Sequence, residues 1–124
     1  MRWYIDGMNV IGTRPDGWWR DRDAAMLHLV RLLENWAAAE GEDVIVVFER
    51  KTRPPLRSSV IEIATAPKPK ADAADDEIVR RLAREPQPGV VRVVTSDRWL
   101  SDRAYAAGAS VYGADRFRSL LEQF

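Results

Sequence analysis

Tyr4-Ile5-Asp6-Gly7-Met8-Asn9-Val10-Ile11 is the stretch whose reading decides the fold. Trp3-Tyr4-Ile5 reads as a short buried strand that ends in a carboxylate, a glycine and a carboxamide. A buried strand delivers polar chemistry to its carboxyl end in this way, and Asp6-Gly7 reads as the turn that closes it. Gly12 to Gly17 follows as a loop dense in chain-breaking residues, with Arg14 as its cation.

Further along, apolar residues recur at Met26, Leu29, Val30, Leu33, Trp36 and Ala37, while His28, Arg31 and Asn35 share the other face. That spacing predicts an amphipathic helix over 23–39, ended by Gly41. Val44 to Phe48 is an apolar run, as in a strand covered on both faces, and it predicts a central parallel strand. Val60 to Ile63 is a weaker strand candidate. A helix is expected from the acidic run at Asp72 to about Arg84, before Pro86. Val90 to Thr95 reads as another strand, and Ser96-Asp97 as the N-cap signal of a helix reaching Ala107, with Gly108 as its stop. Ser110 to Tyr112 predicts a last short strand. Asp115 to Phe124 predicts a terminal helix with Phe117, Leu120, Leu121 and Phe124 at core spacing. Alternating strands and helices predict an α/β fold, a parallel sheet between helical layers with its crevice at the strands' carboxyl ends.

Residues 1–124 are the size of one domain, and 46% apolar residues with five Trp suffice for one core. The formal net charge of zero means that contact with nucleic acid has to come from local clusters of cations. Without cysteine there is no disulfide framework, thiolate zinc site or cysteine nucleophile. The start shows no signal segment, and no stretch approaches the roughly 18 apolar residues of a membrane span. A soluble, cytoplasmic protein without a membrane partner is the expectation. The Trp residues leave room for a two-fold partner, as in a homodimer.

Asp6 and Asp97 each follow a strand, and in a parallel sheet such residues gather on one edge. A third acid comes from the helix start. From Asp75 the positions three, four and seven residues on are Ile78, Val79 and Leu82, so Asp75 shares the core-facing stripe. From Asp76 the fourth position is Arg80, which predicts an exposed pair on the flank, and Asp72 is a candidate cap. Each acid alone has an ordinary explanation: a turn at Asp6-Gly7, an N-cap at Asp97, and the macrodipole at the helix start. Their joint placement at one sheet edge favours a site.

Three converging carboxylates without a lysine or histidine among them call for a hard divalent cation, Mg²⁺ or Mn²⁺. Such an ion lowers the pKa of a bound water and offsets charge on a phosphoryl transition state, which suggests phosphodiester hydrolysis. Asp76 is the alternative to Asp75 as a ligand, and Asp102 is an outer or second-metal candidate. Asn9 and Ser96 are placed to position water or a phosphate oxygen. The loops carrying Lys51, Arg53 and Arg57 and carrying Lys68 and Lys70 are candidates for phosphate contact, with Arg14 and Arg98. His28 is read as a surface residue. Trp18-Trp19 is read as packing over the sheet edge, with base stacking as its alternative.

Three motifs in order carry a resemblance. They are Asp6-Gly7-Met8-Asn9-Val10-Ile11, Ala74-Asp75-Asp76-Glu77-Ile78, and Val94-Thr95-Ser96-Asp97-Arg98 with Asp102-Arg103. Together they resemble the NYN domain group of the PIN-like nuclease superfamily, nearest its YacP-like members. The resemblance implies a three-layer α/β/α sandwich, PIN-like and Rossmann-like, with strand order 3-2-1-4-5. It also implies a carboxylate site for Mg²⁺ or Mn²⁺ and ribonuclease activity in RNA processing or decay, in several members near the ribosome. By position it matches Asp6, Asn9, Asp75 and Asp97 to the family's site residues, and Asp102 to an acid found in part of the group. The segment from Arg53 to Lys70 has no matching motif. The expectation is therefore a metal-dependent endoribonuclease. The alternatives are a catalytically silent RNA- or ribosome-binding module and a phosphatase of small phosphate esters.

Overall fold

The opening strand, β1 (Arg2–Asp6), occupies the middle of the sheet, and its four residues after Arg2 are buried. Described in the computed structural model are residues 1–68, 70 and 72–124; Pro69 of the second basic loop and Ala71 of the acidic run lie outside them. β2 (Asp43–Phe48) flanks β1 on one side and β4 (Val91–Val94) on the other. β3 (Glu62–Thr65) pairs with β2, and β5 (Ser110–Tyr112) with β4. All four pairings are parallel and give the order β3-β2-β1-β4-β5. The order and the flanking helices are those expected. β3 starts later than the expected strand, because Val60 is exposed and only Ile61 of the preceding residues is buried.

Two apolar layers cover the sheet. On one face α2 (Arg22–Glu40) buries Met26, Leu29, Val30, Leu33, Trp36 and Ala37 against Trp3, Ile5 and Phe48. The Asp21 carboxylate caps its start by accepting from the Ala24 N–H, and Gly41, at φ 66°, ends it. α5 (Ala114–Leu121) adds Phe117 and Leu121 to this layer. Phe124 lies past the helix end, 44% exposed, so the expected stripe stops short of it. On the other face, α3 (Ala73–Leu82) and α4 (Arg98–Ala106) bury Ala74, Ile78, Leu82, Leu100 and Ala104 on Tyr4, Ile45, Val47 and Val93. Each fully buried large side chain contributes about 1.5–3 kcal/mol. α3 ends at Leu82, two residues earlier than expected.

The turn expected at Asp6-Gly7 is instead the start of a short helix, α1 (Gly7–Ile11). Val10 and Ile11 are buried in the first layer, and this tertiary burial outweighs the turn preference of the Asp-Gly pair. Gly7 is required here. A Cβ on it would stand 2.5 Å from Phe48 Cε1 and 3.1 Å from the Val47 carbonyl oxygen, so β1 turns into α1 directly over the end of β2. Among the described residues no helix is long and apolar enough to cross a membrane.

Candidate active site

The carboxyl ends of β1 and β4, with the start of α3, bring Asp6, Asp75 and Asp97 to one edge of the sheet. Asp6 ends β1 and is 5% exposed; Asp75, in the first turn of α3, is 7% exposed. The two carboxyl groups are close enough to act on each other's titration. Burial pushes the Asp75 carboxyl up to about 8, and the charges of Asp6, Asp97 and Asp72 add to that. Burial also pushes Asp6 up to about 6, although hydrogen bonds from Thr95 and Asp75 pull it down. Two buried carboxyls side by side favour a shared proton over two charges, with Asp75 the more strongly raised.

Asp97 occupies the N-cap of α4, where its Oδ1 accepts from the Leu100 N–H at 2.8 Å. The N-cap expected at Asp97 is thus present. Thr95 joins the two strand ends: its hydroxyl donates to Asp6 Oδ2 at 2.9 Å and accepts from the Asp97 N–H at 3.1 Å. Thr95 is 1% exposed, and the sequence reading passed over it as the last residue of a strand. Glu49 was passed over as well. It follows β2, whose Val47 is in register with Asp6, and its charge raises the Asp6 carboxyl further. Its signal was available, since it is the first residue past a buried strand at the same edge.

The other candidates fall into distinct positions. Asn9 Oδ1 accepts from the Ser96 N–H at 2.8 Å, which ties α1 to the end of β4 and leaves the amide NH₂ as a donor. Ser96 Oγ accepts from the Ala114 N–H at 3.0 Å and so anchors the start of α5. Asp76 is exposed and pairs with Lys70 at 3.6 Å, while Arg80 pairs with Glu77, so the expected Asp76–Arg80 pair does not form. Asp72 stands at the N-cap of α3 at φ 64°, but its side chain makes no capping bond. Asp102 is exposed on α4.

Arg14 reaches across to α5, where it bonds Asp115 at 2.6 Å, Glu122 at 2.8 Å and Ser119 at 3.0 Å. Its charge is balanced there. By contrast Lys51, Arg53, Arg57 and Lys68 are exposed in the loops after β2 and β3, and Arg98 is exposed beside Asp97. His28 is exposed as expected. Trp18 packs on the core, while Trp19 is 52% exposed.

Among the described residues, no group of three or more Asp, Glu, His or Cys side chains stands in a ready metal-holding arrangement. The donor chemistry nonetheless fits a hard divalent ion. The donors are all carboxylate oxygens, and burial first, then the neighbouring acidic charges, raise Asp6 and Asp75, with no cation beside them among the described residues to offset it.

The YacP-like NYN domain model matches residues 3–124. The solved structure of Rae1 (YacP) from Bacillus subtilis is similar to this chain at a TM-score of 0.78 and 21% identity, covering 99% of this chain and 76% of that one. A point mutant of the same protein is similar at a TM-score of 0.76 and 22% identity, covering 98% of this chain and 77% of that one. Comparison with curated protein sequences gives no match.

Proposed function

The chain belongs to the YacP-like NYN domain family, and on that premise we propose that it is a cytoplasmic, Mg²⁺- or Mn²⁺-dependent endoribonuclease of RNA processing or decay. The observation that carries the reading is the buried Asp6–Asp75 pair, held next to Asp97 by the Thr95 hydroxyl. Asp6, Asp75 and Asp97 would hold the ion, with Glu49 and Asp72 at its margin. When bound, the ion supplies Lewis acidity and a water made acidic enough to attack a phosphodiester at neutral pH. Holding it would require Asp6 and Asp75 in their ionised forms.

The chain's own groups do the rest. Thr95 keeps one Asp6 oxygen oriented, and the Leu100 N–H keeps one Asp97 oxygen oriented. The Asn9 NH₂, free to donate, is positioned for a phosphate oxygen. Lys51, Arg53, Arg57, Lys68, Lys70 and Arg98 neutralise the backbone of the strand. Asp76 and Asp102, both exposed, are outside the proposed ligand set.

Purified protein should cut single-stranded RNA with Mn²⁺ or Mg²⁺, and Asp6→Asn and Asp97→Asn should each lower the rate by 100-fold or more, on the order of a lost transition-state contact. Variants that cut as well as wild type would sink the assignment. A second reading, an RNA- or ribosome-binding module without turnover, is favoured by one observation: the Asp6 and Asp75 carboxyls are both buried and both pushed above the ordinary carboxylate range, toward the neutral form that holds no ion. Salt-sensitive RNA binding without cleavage in either metal would select it.

A further inference from the structure

Beside the acidic edge, the ends of β2 and β3 enclose a cavity of about 190 Å³. Its wall is apolar, made by Met26, Phe48, Leu56 and Ile63, and its mouth carries Lys51 and Arg57. That volume is below the roughly 300–1,000 Å³ of clefts that take drug-sized ligands, and it suits one flat aromatic ring system. Thr65 lines it too, and among the described residues its hydroxyl makes no hydrogen bond, whereas the neighbouring Thr52 hydroxyl donates to the Pro54 carbonyl.

A cleft of about 710 Å³ shares Arg50, Lys51, Thr52 and Thr65 with this cavity and continues past Ala66 and Pro67. From there a depression of about 230 Å³ reaches Lys68, Lys70 and Asp76 at the start of α3, on the flank that carries Arg80. An apolar pocket thus opens onto a cationic track that runs past the ends of β2 and β3 to the start of α3, the helix that carries Asp75. Phe48, which forms the back of the pocket, is packed against Gly7, the residue after Asp6. A polyanion lying in the track would carry its phosphates along the cations and could turn one base inward.

We propose that this cavity binds a single unpaired nucleobase of the RNA strand, flanking the phosphodiester held at Asp6, Asp75 and Asp97, and so selects the cleavage position. The inference rests on the ribonuclease reading for its substrate. The ring lies among Met26, Phe48, Leu56 and Ile63, the Thr65 hydroxyl reads its polar edge, and Lys51 and Arg57 hold the adjoining phosphates. A protein side chain of similar size would not need the cationic track.

Two measurements test the pocket. In a pool of single-stranded RNA randomised in sequence and cut with Mn²⁺, wild type should show a base preference at one nucleotide near the cut. Thr65→Val should weaken that preference about tenfold, the worth of one hydrogen bond to a desolvated edge. Leu56→Trp, which fills the cavity from a loop, should erase it, with preferences at other positions unchanged. Preferences equal to wild type at every position in both folded variants would overturn the proposal.

The second measurement needs no cleavage: Asp6→Asn protein is titrated with RNA carrying 2-aminopurine at successive positions. One position should change in fluorescence on binding, and Leu56→Trp should abolish that change. If RNA is never cut but this signal appears and is lost in Leu56→Trp, the pocket stands and the nuclease reading falls. If RNA is cut and no position responds, the pocket falls alone.

Discussion

The Thr95 hydroxyl lies 2.9 Å from Asp6 Oδ2 and bridges the ends of β1 and β4 from a buried position. It both donates and accepts, so it fixes the spacing of Asp6 and Asp97 without adding charge. Thr95→Val keeps the shape and removes both bonds. The expected stability loss is about 1–3 kcal/mol, because the Asp6 oxygen loses its donor in a buried setting. Cleavage should fall about tenfold or more, with its acid limb moved to higher pH because the bond from Thr95 lowers the Asp6 carboxyl. Thr95→Ser should restore the limb; a limb that stays in place in Thr95→Val would remove Thr95 from the positioning role.

Asp97 is an N-cap in the structure and a metal ligand in the proposed reading, and substitutions can separate the two. Asn is as good an N-cap as Asp, so Asp97→Asn should keep the bond to the Leu100 N–H and melt within a degree or two of wild type while losing cleavage. Asp97→Ala should lose about 1 kcal/mol in addition. Equal destabilisation of both variants would show that the charge, and not the cap, holds the start of α4.

The acidic pair makes metal-free stability depend on pH. Both folded carboxyls lie above the ordinary value of 3.8, at about 6 for Asp6 and about 8 for Asp75. Between these limits the folded protein holds more protons than the unfolded chain, so stability falls as pH rises from about 4 to about 8. The melting temperature in chelator should therefore be higher at pH 5 than at pH 8. Asp75→Asn should flatten the profile and raise stability at pH 8, because the substitution removes the buried charge that burial and the neighbouring acids disfavour. Mn²⁺ should raise the melting temperature more at pH 8 than at pH 5, since binding requires the deprotonated pair. A flat profile in wild type would contradict the shared proton.

Charge neutralisation should separate the cations that hold RNA from those that hold the fold. Lys51→Ala, Arg53→Ala and Arg57→Ala should each weaken RNA binding and reduce its salt dependence by about one ion per lost phosphate contact. Arg14→Ala should leave the salt slope unchanged and cost under about 1 kcal/mol of stability, because its partners are the exposed side chains of α5. A slope that changes with Arg14 would return it to the binding surface.

What the sequence made legible is what periodicity controls. Counting along the acidic helix separated Asp75 from Asp76, and the structure buries the first and exposes the second. The strand order came through the resemblance of the three motifs, and the pairing of β1 with both β2 and β4 agrees with it. What stayed hidden depends on contacts between distant parts of the chain. Thr95 and Asp6 are 89 residues apart, and Arg14 meets α5 partners more than 100 residues away. α1 was hidden for the same reason, since its Asp-Gly start is a turn signal until Val10 and Ile11 find their layer. The flank pair of Asp76 failed because Glu77 stands nearer to Arg80 and Lys70 reaches Asp76 first.

The close approach of Gly7 and Phe48 links the two halves of the edge. The ring occupies the volume that any β-carbon at position 7 would need, so the separation between the carboxylates and the base-sized cavity is set by an atom the chain omits. Gly7→Ala would drive the ring outward into that cavity. On the reading proposed above, such a ruler tolerates changes in the loops on either side, which would alter the base held while the offset from base to cut stays constant.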